Sequence, residues 1–390
     1  MEIVHYLEPL KKTWVAFPGI SKEASLGGQT IFFNGESEWF ENNEFDVAII
    51  GIPEVRNSTR ALLPEVPAHV RTWLYGMRSV SSGLTIADLG DIKGNGLKDR
   101  YYALSEVINY LYLKGVPVFL IGGSQDLTLP ASRFLDKKEE DGNIVIVDAF
   151  LDVDPQRLDF SSSAYIHKLT EETGNKIGDL SVLGTQLYYC SKEQEDFMDK
   201  LHFPVVRLKD LRADRIDYFE VFIRNASLLS FDFGALKGQP SLPRGGKMPN
   251  GFSEAEACRM LWYAGASDVL KVAGLFDISL DKEDEMSLVT AAQMVWHFLE
   301  GCGAKEGDYP LKPIEEYELK AIYLEEYDET LKFYHNPGND RWWINVPDTK
   351  GGKIVPCHAD DYKLALNKEL PQIWWRHFIR IAGNHEITKQ

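Results

Sequence analysis

The chain has 390 residues, 44% of them apolar, and its 42 Lys and Arg residues against 59 Asp and Glu residues give a net charge of −17. This charge, with no basic block to offset it, argues against binding to nucleic acids or anionic membranes, and no apolar run approaches the ~20 residues that cross a bilayer. Because its four cysteines lack paired spacing and the amino terminus lacks an apolar signal segment, we expect a soluble, cytoplasmic protein.

The first predicted elements lead up to a pair of glycines. Residues 1–44 are mixed polar and aromatic and predict an arm laid across the main domain. Residues 45–53 (FDVAIIGIP) predict the first buried strand, and a helix over 67–77 and a short element over 86–92 (IADLGDI) follow. A helix over 101–114 ends before Gly115, and residues 116–121 predict a strand closed by Gly122 and Gly123.

The next strand carries the clearest chemical signal. Residues 144–147 (IVIV) are apolar and β-branched, which predicts a strand buried on both faces, and Asp148 and Asp152 come directly after it. Gln125 follows the preceding strand in the same way, and Asp232 ends a later run over 227–232 (SLLSFD). Because ligands bind at the carboxyl ends of strands in an open parallel sheet, these four side chains are expected to share one crevice.

The remaining elements alternate between strands and helices. We expect strands near 180–186, 205–211 and 269–280, and helices near 192–201, 218–225 and 286–301. Ser253 and Glu256 form a capping box that begins one more helix. This alternation predicts an α/β fold.

Three motifs in this order resemble those of the ureohydrolase family, which includes arginase, agmatinase and formimidoylglutamase. The chain has GGSQD, DAFLD and SFDFG where the family has GG-D-H, D-A-H-x-D and S-x-D-x-D. The resemblance covers residues 45–303. It implies a three-layer α/β/α fold with a mainly parallel, arginase-like sheet, preceded by the arm of residues 1–44 and followed by a Trp-rich C-terminal extension over 304–390.

The resemblance also implies a metal centre that has lost half of its ligands. The six positions that hold two manganese ions in the family correspond here to Gln125, Asp148, Phe150, Asp152, Asp232 and Gly234. Only the three aspartates are retained, because Gln125 and Phe150 replace histidines and Gly234 replaces an aspartate. The implied site is therefore Gln125, Asp148, Asp152 and Asp232 with at most one divalent cation, Mn²⁺, Mg²⁺ or Ca²⁺, or with no metal at all.

Other departures concern catalysis and access. The family has a catalytic histidine in the loop that follows, and His167 is the candidate here, although a packing role is equally compatible with its surroundings. Leu280 stands where the family has a substrate-binding glutamate. The sequence EVRNSTRALLP, at residues 54–64, replaces a glycine-rich loop that borders the family's active site.

Without a cation, converging carboxylates repel one another, and they either take up protons or find a basic partner. Lys237, Arg244 and Lys247 follow the last motif and are the candidates for that partner.

Three functions remain open at this stage. The first is a ureohydrolase-like protein that lacks the binuclear centre and acts through binding or assembly. The second is a hydrolase of linear C–N bonds, formimidoylglutamase-like or agmatinase-like, that uses at most one metal ion. The third is a partner-binding protein that acts through its extension. Its tryptophan pairs, Trp342-Trp343 and Trp374-Trp375, either form an interaction surface or pack the extension onto the main domain or onto itself. The partner is an unknown small molecule or protein, and the resemblance adds a homo-oligomer as an expectation.

Overall fold

The computed structural model describes residues 3–11, 14–80, 83–138, 142–173, 176–211, 215–242, 245–279, 285–348 and 351–387, and not the side chains of residues 173 and 381–387. Arg244 and Leu280 lie outside these ranges. No helix in the described ranges is long and apolar enough to cross a membrane.

The strands fall into two groups in the chain. The first group is β1 Leu7–Glu8, β2 Ile31–Phe32, β3 Val47–Gly51, β4 Ile86–Ile92, β5 Val118–Ile121, β6 Gly142–Val147, β7 Ile177–Thr185, β8 Val205–Arg207, β9 Leu228–Asp232, β10 Pro240–Leu242, β11 Gly246–Lys247 and β12 Val272–Phe276. The second group, in the extension, is β13 Glu318–Leu324, β14 Glu329–Asn336, β15 Arg341–Val346 and β16 Lys353–Cys357.

The helices are distributed along the whole chain. They are α1 Leu26–Gln29, α2 Trp39–Asn42, α3 Val66–Leu74, α4 Leu97–Leu113, α5 Thr128–Ser132, α6 Ile166–Thr173, α7 Lys192–Lys200, α8 Asp217–Arg224, α9 Glu254–Gly265, α10 Glu285–Cys302, α11 Ala359–Leu366 and α12 Gln372–Ile387. Short 3₁₀ helices include Gln125–Leu127 and Phe233–Ala235, which follow β5 and β9.

The main sheet is mainly parallel, as predicted. Its strand order is β1-β4-β3-β5-β12-β9-β6-β7-β8, with β2 also paired to β4, and only the β1–β4 pair is antiparallel. Strands β1 and β2 come from residues 1–44, so this arm is part of the sheet.

Helices cover both faces of the sheet, which gives the predicted three layers. Alternate residues of the buried strands point to opposite faces. Ile49 and Val145 pack in one core with α3, α8, α9 and α10. Ile50 and Ile144 pack in the other core with α4 and α6. The runs of consecutive apolar residues in the sequence arise because the strands are buried on both sides.

The extension has a core of its own. Strands β13 to β16 form an antiparallel sheet, and α11 and α12 pack against it through Ala365 and Trp374. Trp342, Trp343 and Trp374 are buried, and Trp375 is 44% exposed. Three of the four tryptophans of the two pairs therefore serve packing.

Candidate functional site

Four neighbouring strands of the main sheet end in polar side chains. In the sheet order β5, β12, β9 and β6, these strands are followed or terminated by Gln125, Asp277, Asp232 and Asp148. All four are buried, as is Asp152. The residues of the three motifs therefore meet at one end of the sheet, with Asp277 as an additional carboxyl group, and we call this buried group of side chains the crevice.

The crevice contains a guanidinium group from the same chain. Arg60, in the loop between β3 and α3, donates from Nη1 and Nη2 to the two carboxylate oxygens of Asp232, both at 2.7 Å. Only 16% of the Arg60 side chain is exposed. Burial opposes the charged form, but Asp232, Asp277 and Asp148 hold the pKa of Arg60 well above its usual value. Arg60 is therefore a permanent cation among the crevice carboxyls.

Gly234 leaves space for this guanidinium, and the Phe150 ring lies beside it. A Cβ atom on Gly234 would lie 2.5 Å from Arg60 Nη1, so a side chain there would clash with the guanidinium. The Phe150 ring lies 6.0 Å from Arg60 Cζ and stacks on Tyr189 at 5.3 Å. Cation–π attraction operates at such a distance.

The loop that carries Arg60 is fastened on several sides. Glu54 is fully buried and accepts hydrogen bonds from Arg56 Nε at 2.8 Å and from Arg100 Nη1 at 3.1 Å. Ser162 accepts from the Thr59 backbone N–H at 3.1 Å, and the Arg60 N–H donates to Ser58 Oγ at 3.0 Å. These bonds fix the backbone from which Arg60 reaches the crevice.

Asp148 and Asp152 form a buried pair of carboxyls that titrate together. Burial, followed by the negative charges of Asp152 and Asp232, raises the pKa of Asp148 well above its usual value. Burial raises the pKa of Asp152 to about 7, although Asp148 and Arg60 oppose the shift. The raised pKa values favour a protonated pair over a doubly charged one. Asp148 Oδ1 accepts from the Phe150 N–H at 2.9 Å.

Two more acids at this end of the sheet are shifted in the same direction. Burial raises the pKa of Asp277 to about 8, and its Oδ2 accepts from the Gln125 N–H at 3.2 Å. Burial raises the pKa of Asp126 to about 7, and the Tyr101 hydroxyl donates to Asp126. Arg60 thus supplies positive charge at this end of the sheet, and the raised pKa values favour the uncharged forms of these acids.

Solved structures with similar folds identify this arrangement of strands. A manganese-bound formiminoglutamase of Trypanosoma cruzi is 24% identical, with a TM-score of 0.60 over 67% of this chain and 94% of that one. The formimidoylglutamase of Bacillus subtilis is 16% identical, with a TM-score of 0.62 over 76% of this chain and 97% of that one. The agmatine ureohydrolase of Thermoplasma volcanium is 18% identical, with a TM-score of 0.57 over 67% of this chain and 91% of that one.

The chain has the ureohydrolase fold. The fold predicted from the resemblance is therefore confirmed. No protein-family model and no curated protein sequence matches the chain.

The residues of this ureohydrolase-fold crevice do not fit a binuclear manganese centre. Arg60 engages both oxygens of Asp232, and Phe150 and Gly234 offer no ligand atom. Gln125 donates from Nε2 to Ser230 Oγ at 3.2 Å. In the part of the chain that the structure describes, no group of three or more His, Cys, Asp or Glu side chains is arranged to hold a metal ion.

The basic partner of the crevice carboxyls is Arg60, not the two lysines suggested by the sequence. Lys237 and Lys247 are exposed in the segment after β9, and Arg244 lies outside the described residues. The signal in the sequence is the replaced loop at residues 54–64, which contains Arg56 and Arg60 and so brings positive charge to the rim of the sheet.

His167 lies in α6, next to Ile166, whose N–H donates to the Asp152 carbonyl at 3.0 Å. His167 is buried, and burial lowers its pKa. The charged groups that act on it are Glu171, Asp154, Arg157 and Lys168. A catalytic role for His167 stays a prediction.

Proposed function

We propose that this chain is a ureohydrolase-fold protein without the binuclear manganese centre, and that it acts through binding or assembly instead of hydrolysis. The observation that carries the proposal is the bidentate pair of Arg60 and Asp232 beside Gly234. A guanidinium in this position supplies the positive charge that the carboxylates need, and it does so without an open coordination site.

The three family positions that differ support the proposal together. Gly234 removes a carboxylate and leaves space for Arg60, and Phe150 replaces an imidazole with a ring beside the same guanidinium. Gln125 hydrogen-bonds to Ser230. Each change is compatible with a crevice built around an arginine.

Activated water is the nucleophile that a metal pair would supply in this fold. Within the described residues, no group of three or more His, Cys, Asp or Glu side chains is arranged to hold such a metal pair. Asp232 is paired with the guanidinium, and Gln125, Asp148, Asp152 and Asp277 are buried, which favours a structural role over a site that admits a substrate.

Turnover measurements test this proposal. Arginine, agmatine and formimidoylglutamate are incubated with the full chain, with and without Mn²⁺, and release of urea, ammonia or formamide is followed. We expect no more product than from the Asp232→Ala variant. Manganese-dependent turnover that Asp148→Ala and Asp232→Ala both abolish would contradict the proposal and favour the hydrolase with a rebuilt centre.

We also propose a cytoplasmic location. The described cysteines Cys190, Cys258, Cys302 and Cys357 are free thiols, which is typical of a reducing compartment. Fractionation of cells that express the tagged full chain tests this point, and recovery from the membrane or secreted fraction would contradict it.

A further inference from the structure

The extension docks on the rim of the main sheet opposite the crevice. Asn143 lies near the start of β6, and Ser227 directly precedes β9, so this rim carries the amino ends of the parallel strands. Arg224 donates from Nη2 to the Trp342 carbonyl at 3.2 Å, and its guanidinium lies 4.6 Å from the Trp343 ring. We call this boundary the seam.

Two cavities adjoin along the seam. The first has a volume of about 350 Å³ and lies between α8, α12 and β16. The second, of about 370 Å³, lies beside β15 and β16. Asn143, Asn225 and Pro356 line both. Ligand pockets are typically ~300–1,000 Å³ and often lie between domains, so both volumes are in the range of small-molecule sites.

The walls of the first cavity are largely apolar. Val206, Phe222, Val355 and Ile373 are among its lining residues. Charged residues also line it, among them Asp210, Asp361 and Arg376, and Asp179 accepts from Arg380 Nη2 at 2.9 Å. This part of the seam suits the apolar body of a ligand.

The second cavity is cationic. Among the described residues that line it, Lys138, Arg224 and Lys353 stand against one acid, Asp348, in a chain whose net charge is −17. The Arg224 side chain is 7% exposed, its Nε lies 3.3 Å from Glu220 Oε1, and its Nη2 donates to the Trp342 carbonyl. Within the described residues its Nη1 has no hydrogen-bond partner. A buried charged donor without an acceptor is costly and is stabilised by an anion.

We propose that the seam binds an organic anion with an apolar body. Its acidic head lies beside Lys138, Arg224 and Lys353, and its apolar body lies between α8 and α12. This site is at the opposite rim of the sheet from the crevice, so the inference stands whether or not the crevice is catalytic. Binding would stabilise the docking of the extension, because the ligand contacts both sides of the seam.

Calorimetric titration of the full chain at neutral pH and low salt tests the proposal. The probes are octanoate and 2-naphthoate as apolar anions, 1-octanol as an uncharged analogue, and inorganic phosphate as an anion without an apolar body. We expect at least one of the two apolar carboxylates to bind about tenfold or more tightly than octanol and phosphate. Absence of binding by both carboxylates, or equal binding of octanol or phosphate, overturns the proposal.

Three variants locate the bound anion. Lys353→Glu reverses a charge beside the proposed head, and Val221→Trp fills the first cavity from a half-buried position on α8. We expect each to weaken carboxylate binding by about tenfold, whereas Lys332→Glu on the exposed side of β14 leaves it unchanged. Thermal unfolding without ligand confirms that each variant is folded. Unchanged affinity in both folded seam variants would place the ligand elsewhere and overturn the assignment.

Discussion

Arg60 and Asp232 form a two-bonded ion pair at the carboxyl end of β9, with both N–O distances at 2.7 Å. The two residues are 172 positions apart in the chain. Their pairing joins the loop after β3 to the centre of the sheet and gives the crevice its permanent positive charge.

Removal of Arg60 is expected to destabilise the fold. Arg60→Ala leaves Asp232 buried without its partner, and loss of one member of a buried pair costs about 3–5 kcal/mol. Urea denaturation at pH 7 measures this change in the free energy of unfolding. Arg60→Lys is expected to recover only part of this loss of stability, because an ammonium cannot make the two parallel bonds.

Lys192→Ala, which breaks the exposed pair with Asp196 on α7, is the control and should cause no measurable change. Full stability of Arg60→Ala would mean that the pair does not support the fold.

Gly234 is expected to be sensitive to the smallest substitution. A Cβ atom there meets Arg60 Nη1 at 2.5 Å and Ser241 Cβ at 2.7 Å, so Gly234→Ala should lower the unfolding midpoint. In an Arg60→Ala background one of these two clashes is absent, and the additional cost of Gly234→Ala should be smaller. Gly83→Ala serves as the control, because a Cβ at Gly83 has no neighbour within 4 Å among the residues that the structure describes. Strict additivity of Gly234→Ala and Arg60→Ala would show that the glycine does not make room for the arginine.

The raised acids predict a stability that depends on pH. The pKa of Asp277 is about 8 in the folded protein and close to 4 in an unfolded chain, so the folded state holds an additional proton between these values. This contribution to stability is complete below pH 4 and is lost as the pH rises through 8. Asp152, with a pKa of about 7, acts in the same direction.

Asp277→Asn tests this pH dependence. The amide cannot ionise, so the variant should lose less stability than the unmodified chain when urea midpoints are compared from pH 5 to pH 8.5. Asp136→Asn alters an exposed acid and should leave the slope as it was. If the Asp277→Asn chain and the unmodified chain have parallel pH profiles, Asp277 does not hold a proton in the fold.

The tryptophans of the extension should differ sharply in their effect on stability. Trp343 is 1% exposed and contacts Tyr317 and Arg224, so Trp343→Ala should cost about 3–5 kcal/mol. Trp375 is 44% exposed, and Trp375→Ala should change stability by less than about 0.5 kcal/mol. Thermal and urea unfolding measure both. An equal effect of the two substitutions would contradict the packing role of Trp343.

Deletion of residues 304–390 should yield an insoluble chain, because it uncovers Arg224 and the rim of the sheet that the extension covers. Expression of residues 1–303 measures this directly. A soluble, folded product that no longer binds partners of the full chain would instead favour an extension that acts as an independent binding module.

The sequence predicts the fold of the main sheet well because its strands are buried on both faces. Apolar runs such as IVIV have no other stable place in an α/β protein, and the residues that end them must meet at one rim. Asp148, Asp152, Asp232 and Gln125 could be placed in one crevice on this basis.

Arg60 could not be predicted in the same way. Its position depends on a loop conformation fixed by Glu54, Arg100 and Ser162, which are distant in the chain or carry no distinctive pattern. The lysines near Asp232 in sequence were more obvious partners, but sequence proximity does not direct an exposed loop inward. Asp277 directly follows β12, so the rule that placed Asp148 at the end of its strand applies to Asp277 as well.

The metal content of the purified full chain tests whether this ureohydrolase-fold protein lacks a manganese centre. The protein is incubated with Mn²⁺, dialysed and measured by elemental analysis. We expect that no manganese is retained, because Arg60 donates hydrogen bonds to both carboxylate oxygens of Asp232. Retention of about one or two manganese ions per chain would contradict it.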